Sequence, residues 1–309
     1  MFCNQATLKK KILFEGLGLH FGLPVKMYLI PADIDTGIFF IRTDLKKKEP
    51  IFANWKNIIP AQLCTKISNK NGDQIATIEH LMFALYSLGI TNLRIEINGP
   101  EVPIMDGSAK IFIDEILNKG IKQQDKKMNQ VIIKKSFEIK DGRKAIRYDP
   151  TKKNYLEVDY SIEYNDQFIK KQNFFLTDAK KNFKEVFSSR TFCHQEDLEK
   201  IFAMGLAKGG SLDNAIVISG TKVLNQDGLR FSDEFVRHKI LDCIGDLYLA
   251  GFFIYGKITC NQGGHELTCN LLKEIFNCAD NFSVFSDKSN IENKKIKNYQ
   301  SKRPIEAVV

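Results

Sequence analysis

The stretch Phe235-Val236-Arg237-His238-Lys239-Ile240-Leu241-Asp242-Cys243-Ile244-Gly245-Asp246 organises the reading of this chain. Taken as a helix, it sets His238, Asp242 and Asp246 at i, i+4 and i+8, one above another on a single face. A neutral imidazole and a carboxylate one turn apart can both reach one divalent cation. Phe235, Ile240, Leu241, Ile244, Leu247 and Tyr248 make the other face mostly apolar. That division predicts a helix with one side in a core and the polar side turned into a cavity. A surface helix with a histidine–aspartate pair has the same local pattern. A metal site therefore needs a third ligand and a base from elsewhere in the chain.

Working outward, the helical pattern runs from about Asp233 to Ala250 and stops at Gly251. A strand is expected at Phe253–Cys260 and a helix at Glu266–Asn277. The first half has the same order. Thr77 is expected to cap a helix with Ile78, Leu81, Met82, Leu85 and Leu88 apolar, ended by Gly89. Leu93–Ile97 alternates as a strand up to Asn98-Gly99. Ser108 caps a second helix through Ile111, Phe112, Ile116 and Leu117, closed by Gly120. Short strands precede these helices, at Lys9–Phe14, Val25–Ile30 and Gly37–Arg42 in the first half, and at Val131–Tyr148 and Leu156–Tyr164 in the second.

The pattern predicts an α+β chain of two similar α/β-sandwich domains, each a sheet packed on helices, with the active site at their interface. We expect an N-terminal domain over 1–126 and a C-terminal domain over 127–280, with Gln123–Gln130 as a polar linker. An insertion at about 186–224 breaks the second half. It starts at Ser188-Ser189-Arg190-Thr191, has a short helix near Glu196–Leu206, then Lys208-Gly209-Gly210-Ser211 and an apolar strand Ala215–Ile218. A basic tail, 281–309, is expected to be mobile.

Composition narrows the function classes. The chain has 309 residues, 43% of them hydrophobic, which suffices for one large or two medium cores. Its longest apolar runs, Leu81–Tyr86 and Leu247–Tyr255, fall short of the ~20 residues that span a bilayer. Met1–Gly16 has no uninterrupted apolar segment and no cleavage site of small residues, so no signal peptide is expected. Seven scattered cysteines without a CxxC fit reduced thiols and a cytoplasmic location. The net charge of +8 would suit an anionic substrate, nucleic acid or a membrane surface, but it is diffuse and reads first as a generally lysine-rich surface. It brings no nucleic-acid recognition motif, and we expect no nucleic-acid partner.

The missing chemistry is available in the first half. Glu79-His80, in the first turn of the helix after Thr77, offers His80 as a third ligand and Glu79 as a base. Two histidines, a carboxylate and an open position make a catalytic zinc set, and they suit ferrous iron as well. His265, after Gly263-Gly264, is expected on a loop where it meets Asp246. A carboxylate there favours the imidazolium, a group able to stabilise an oxyanion and protonate a leaving amine. The Thr191 hydroxyl can polarise the same carbonyl. His20, alone in a glycine-rich turn, reads as structural.

Several motifs carry a resemblance. They are Gly16-Leu17-Gly18-Leu19-His20, Thr77-Ile78-Glu79-His80-Leu81-Met82 and Gly99-Pro100-Glu101-Val102-Pro103-Ile104-Met105-Asp106-Gly107-Ser108-Ala109 in the first half. In the second they are Ser189-Arg190-Thr191-Phe192, Gly209-Gly210-Ser211, Leu224 to Phe231, Asp233 to Lys239, and Gly264-His265. From about Gln5 to Asn277 the chain resembles the UDP-3-O-acyl-N-acetylglucosamine deacetylases, zinc amidases of lipid A biosynthesis. The resemblance implies two α+β domains, each with an insertion. It implies zinc on His80, His238 and Asp242, Glu79 as general base, His265 steadied by Asp246 as acid, Thr191 on the oxyanion and Lys239 on the nucleotide-sugar. It also implies an acyl passage in the second insertion, where Phe192, Leu198, Ile201, Ala207, Gly210, Ala215 and Val217 match. For the diphosphate and uracil the candidates are Lys144 and Tyr164. The implied activity is hydrolysis of the N-acetyl group of a UDP-linked acylated amino sugar by a monomer, with peripheral proximity to a membrane compatible with the acyl chain. A deacetylase of another acylated sugar and a non-catalytic nucleotide-lipid binding protein are the alternatives. Cys193-His194 after Phe192 departs from the family pattern.

Overall fold

A computed structural model describes residues 3–286. Two five-stranded sheets carry the fold. The first runs, in spatial order, Ile12–Leu17, Pro24–Pro31, Leu93–Ile97, Ile38–Arg42 and Pro50–Phe52. The second runs Phe137–Asp141, Lys144–Asp149, Gly256–Asn261, Leu156–Glu163 and Lys171–Leu176. In both, the central strand comes last in sequence. It lies antiparallel to the second strand and parallel to the fourth. The two halves therefore share one topology, although no repeat is legible in the sequence.

Five α-helices occur among the described residues: α1 (Glu79–Leu88), α2 (Lys110–Lys119), α3 (Leu198–Ala203), α4 (Glu234–Leu247) and α5 (His265–Phe276). α2 packs on α1 and on Ile12–Leu17, α5 packs on α4 and on Phe137–Asp141, and α1 crosses α4 between the halves. Glu79–Ser87 of α1 are all buried, and so is most of α4. The surface-helix reading of Phe235–Asp246 is thus excluded. Large side chains such as Phe83 and Phe235, with no more than 1% exposure, each gain roughly 1.5–3 kcal/mol on burial. The junction of the halves is accordingly continuous core. Each half also carries a small three-stranded sheet, of Ile58–Ile59, Lys66–Ser68 and Gln74–Ala76 in the first and Phe192–His194, Ile216–Ser219 and Lys222–Val223 in the second.

The local expectations fail at four places. Thr77 does not cap α1. It sits at φ +57° and donates its hydroxyl to Glu101 Oε1 at 2.8 Å, while α1 starts two residues later without a side-chain cap. Gln123–Gln130 is no linker, because Ile121–Lys127 is a strand paired antiparallel with Asn4–Leu8. His265 is not on a loop but opens α5. Leu117 faces solvent, at 51% exposure. Ser108 lies one residue before the α2 N-cap, Ala109, and accepts the N–H of Lys110 at 3.1 Å. Of the expected tail 281–309, Phe282–Phe285 pair with Gln130–Ile133, and 287–309 lie outside the described residues. No helix among the described residues is long and apolar enough to cross a membrane. All seven cysteines are free thiols.

Candidate active site

The site is built where α1, α4 and α5 meet. Gly245 of α4 makes the approach of α1 feasible, since a Cβ there would lie 2.1 Å from the Glu79 carbonyl oxygen. That contact brings Glu79 and His80, the first two residues of α1, up to the polar column of α4. The column is the one the i, i+4, i+8 spacing predicts. His238 Nε2 lies 3.3 Å and His80 Nε2 3.4 Å from Asp242 Oδ1. The two imidazoles meet edge to face, 5.0 Å between centroids. All three residues are buried, and their ligand atoms lie within 4.8 Å of one another.

The electrostatics suit a cation. Asp242 Oδ1 is buried with no hydrogen-bond partner. A buried oxygen of this kind costs free energy unless something positive meets it. Burial pushes His238 down to about 3, so its imidazole is neutral. Its Nδ1 lies 3.0 Å from the Ser189 carbonyl, a bond only Nδ1–H can make, which leaves the Nε2 lone pair turned to Asp242. Burial would raise the Asp242 carboxyl, but the Lys239 ammonium, 2.9 Å from Oδ2, and the charged His265 imidazole hold it well below the usual carboxylate range. Two neutral-capable imidazoles and one carboxylate with a free oxygen are the donor set of a divalent transition metal, and the residues present fit one.

A second pair flanks the cluster. His265 Nδ1 donates to Asp246 Oδ2 at 2.8 Å, and its Nε2 lies 3.9 Å from both Glu79 Oε1 and Asp242 Oδ2. Burial opposes the imidazolium, but Asp246 and Glu79 outweigh it and raise His265 to about 9. Burial pushes Glu79 up to about 7, with His265 and His80 pulling against it. Thr65 was not singled out from sequence and joins the two carboxylates. Its hydroxyl donates to Asp246 Oδ1 and lies 3.2 Å from His265 Nδ1, while its N–H donates to Glu79 Oε2 at 3.1 Å. Neighbouring Cys64 is kept a thiol, pushed up to about 12 by burial and then by Glu79.

Thr191 is pinned from both sides. Its N–H donates to the Gly107 carbonyl at 2.8 Å, and its carbonyl accepts from Ile216 at 2.8 Å. Gly107 has φ +80°, and a Cβ there would lie 2.1 Å from the Asn214 carbonyl oxygen, so only glycine fits. Phe192 stacks edge-on against Phe235, Tyr164 and His238, with centroids 4.8, 6.0 and 6.3 Å away. Lys239 Nζ lies 5.7 Å from the same ring. Tyr164, Phe192 and Lys239 are thus brought beside the metal cluster. Lys144 is exposed at a hairpin tip, where it opens Lys144–Asp149.

Within the second insertion, Leu198 and Ile201 lie half-buried on α3, Ala207 is half-buried at φ +55°, and Gly210 is exposed. Ala215 and Val217 are buried and flank Ile216 of the strand paired with Phe192–His194. Phe202, Met204 and Leu212, not named from sequence, are about half exposed. A cavity of about 350 Å³ is lined by His20, Phe21, Cys64, Lys66 and Leu206 among others. His20 itself is buried with neither ring nitrogen hydrogen-bonded.

A two-histidine, one-carboxylate cluster between two α+β halves, with a buried carboxylate and a carboxylate-held imidazole placed beside it as base and acid, fits a metal-dependent hydrolase. The comparisons sharpen the class. The family model described as "LpxC: UDP-3-O-acyl N-acetylglycosamine deacetylase" matches residues 5–277. Relatives named UDP-3-O-acyl-N-acetylglucosamine deacetylase include one from Geotalea uraniireducens, 42% identical over 91% of both chains. Another, from Haemophilus ducreyi, is 43% identical over 88% of this chain and 90% of its own. A third, from Campylobacter hominis, is 40% identical over 92% and 95%. This chain belongs to the UDP-3-O-acyl-N-acetylglucosamine deacetylase family, whose members are metalloenzymes.

Proposed function

We propose that this protein hydrolyses the N-acetyl group of UDP-3-O-(3-hydroxyacyl)-N-acetylglucosamine, releasing acetate and leaving the free glucosamine amine for lipid A biosynthesis. Family membership over residues 5–277 supports the substrate. The observation that carries the chemistry is the orphaned Asp242 oxygen facing two imidazole nitrogens at 3.3 and 3.4 Å. His80, His238 and Asp242 would hold the metal, which we read as zinc, with ferrous iron the other ion this set suits. When bound, the ion supplies Lewis-acid polarisation of the amide carbonyl and makes water more acidic.

Glu79 takes a proton from the attacking water. Raised to about 7, it is a base matched to neutral pH. As the water oxygen bonds to the acetyl carbon, the Thr191 hydroxyl donates to the developing oxyanion. His265, raised to about 9 and therefore protonated at neutral pH, gives its proton to the amine nitrogen as the carbon–nitrogen bond breaks. Asp246 holds that imidazole by Nδ1. Lys239 helps hold the nucleotide-sugar, Lys144 meets the diphosphate, and Tyr164 stacks on uracil. Phe192, Leu198, Ile201, Ala207, Gly210, Ala215 and Val217 take the acyl chain.

We place the domain boundary at about 126/127, where the strand that pairs back to Asn4–Leu8 ends, with the second domain interrupted by the insertion near 186–224 and running past 280 to take in Phe282–Phe285, which pair with Gln130–Ile133. The working form is read as a cytoplasmic monomer. The test is acetate release from the UDP-sugar by purified protein, with metal content measured on the same sample. Full turnover by metal-free protein would refute the reading.

A further inference from the structure

Three successive residues, Ser188, Ser189 and Arg190, are gripped by side chains from the single stretch Arg230–His238. Arg230 Nη1 donates to the Ser188 carbonyl at 2.8 Å. His238 Nδ1 donates to the Ser189 carbonyl at 3.0 Å. Glu234 accepts the Arg190 N–H at 3.0 Å, its Nε at 2.9 Å and its Nη2 at 3.1 Å. Glu234 and His238 stand one turn apart on α4 and therefore share a face. Glu234 Oε2 also takes the N–H of Arg230 at 2.6 Å, and Arg190 Nη2 reaches the Gly228 carbonyl at 2.7 Å. Arg230 then crosses to the first half, meeting Asp106 Oδ2 at 2.8 Å.

The Arg190–Glu234 pair is out of solvent, at 6% and 0% exposure. Burying two charges is expensive, and a pair like this often adds no stability over well-packed apolar side chains. A two-point guanidinium–carboxylate fork does fix position and angle at once. What it fixes here is the backbone on one side of the Ser189 carbonyl, and Arg230 fixes the other side. The carbonyl is thereby held at one place, the place that receives His238 Nδ1–H. Neutral imidazole has a single N–H, so this contact selects the tautomer whose Nε2 lone pair faces Asp242.

We infer that Glu234 and Arg190, with Arg230 behind them, are positioning residues for the metal centre. They aim His238 by fixing the carbonyl that holds its other nitrogen. Through Asp106 the same clamp ties the His238 side of the centre to the half that supplies His80. The inference rests on the metal reading above, and it concerns residues that touch neither metal nor substrate.

The test uses the full chain with zinc as probe. Zinc affinity is measured by competition with a chromophoric chelator for the wild type, His80→Ala, Glu234→Gln, Arg190→Lys and Arg230→Gln, with thermal unfolding of each metal-free form alongside. Outer-shell partners of metal-bound histidines typically hold 10–100-fold in affinity. We expect losses in that span for Glu234→Gln and Arg190→Lys, and a smaller loss in the same direction for Arg230→Gln. Arg190→Lys keeps the charge and removes the fork, so its loss separates geometry from charge. A merely structural clamp would lower the metal-free melting temperature and leave zinc affinity of the folded protein at the wild-type value, which overturns the inference. If Glu234→Gln does not fold, Arg230→Gln decides, because that guanidinium side chain is 33% exposed and Asp106, its partner, keeps the hydrogen bonds from the Ser108 N–H and hydroxyl. Wild type and His80→Ala that both fail to bind zinc would instead overturn the metal reading, and the clamp with it. Wild-type binding lost in His80→Ala but unchanged in all the clamp variants overturns the clamp alone.

Discussion

Glu79 and His265 face each other across 3.9 Å with opposite requirements. Glu79 works as a base only when ionised, and His265 as an acid only when protonated. Activity therefore falls as pH drops through the Glu79 value, about 7, and as pH rises through the His265 value, about 9. A dication beside both draws each limb to lower pH, and the limbs belong to the coupled set. Asp246→Asn removes the charge that favours the imidazolium, so the alkaline limb should move to lower pH. His265→Ala should flatten that limb and cost ~10²–10⁴-fold in rate, and Glu79→Gln should cost a similar factor with zinc still bound. The measurement is kcat/KM against pH, and an alkaline limb that stays put in both His265→Ala and Asp246→Asn assigns the acid elsewhere. Thr65→Val, which keeps the N–H to Glu79 and removes the hydroxyl on Asp246, should cost about tenfold, the scale of one hydrogen bond to a charged group. His238, Asp242 and Asp246 were legible in the sequence because helical spacing is local. Thr65 was not, because its partner Asp246 is 181 residues away and nothing in Cys64-Thr65-Lys66 marks the contact.

At the scale of elements, the crossing of α1 on α4 positions the chemistry. Gly245→Ala places a methyl group against the Glu79 backbone, and the helices must part. The expected cost is about 1–3 kcal/mol of stability, the range of overpacked cores, together with a loss of zinc affinity as His80 moves away. Denaturant unfolding and metal titration on one sample check this, and unchanged values in both would show that α1 does not set the site. In the second insertion, Ala215→Trp should raise KM for a long-chain substrate far more than for a truncated one if the buried Ala215 borders the acyl chain. Equal effects on both substrates would make Ala215 ordinary core. Helix ends at Gly89 and Gly251 were readable, since both adopt the left-handed conformation that glycine favours. The strand Ile121–Lys127 was not, because its polar residues alternate with few apolar ones and its partner lies at Asn4–Leu8. Thr77 looks like a cap by residue type, but Glu101 claims its hydroxyl.

For the whole molecule, the ligands come from both halves, His80 from one and His238 and Asp242 from the other. A bound ion therefore cross-links them. Chelation should abolish activity and lower the melting temperature, and stoichiometric zinc should restore both. At free zinc one hundred times its Kd the gain is about 2.7 kcal/mol. A melting temperature indifferent to chelator would show that the ion does not bridge the halves. The α+β class and the helix–strand–helix close of each half were legible in hydrophobic periodicity. The shared strand order was not, since pairing partners far apart in sequence leave no periodic trace.

That strand order also governs when the molecule can come into being. In the second half, the ribbons 137–149 and 156–176 are joined only through Gly256–Asn261. As the chain leaves the ribosome, all three ligands, His80, His238 and Asp242, are already made while this keystone is still unsynthesised. The hairpins wait as separate ribbons, with α4 lacking the completed sheet beneath it. Such late, long-range closure makes for slow folding. A nascent chain stalled before residue 256 would hold every ligand and still have no finished floor on which to assemble them.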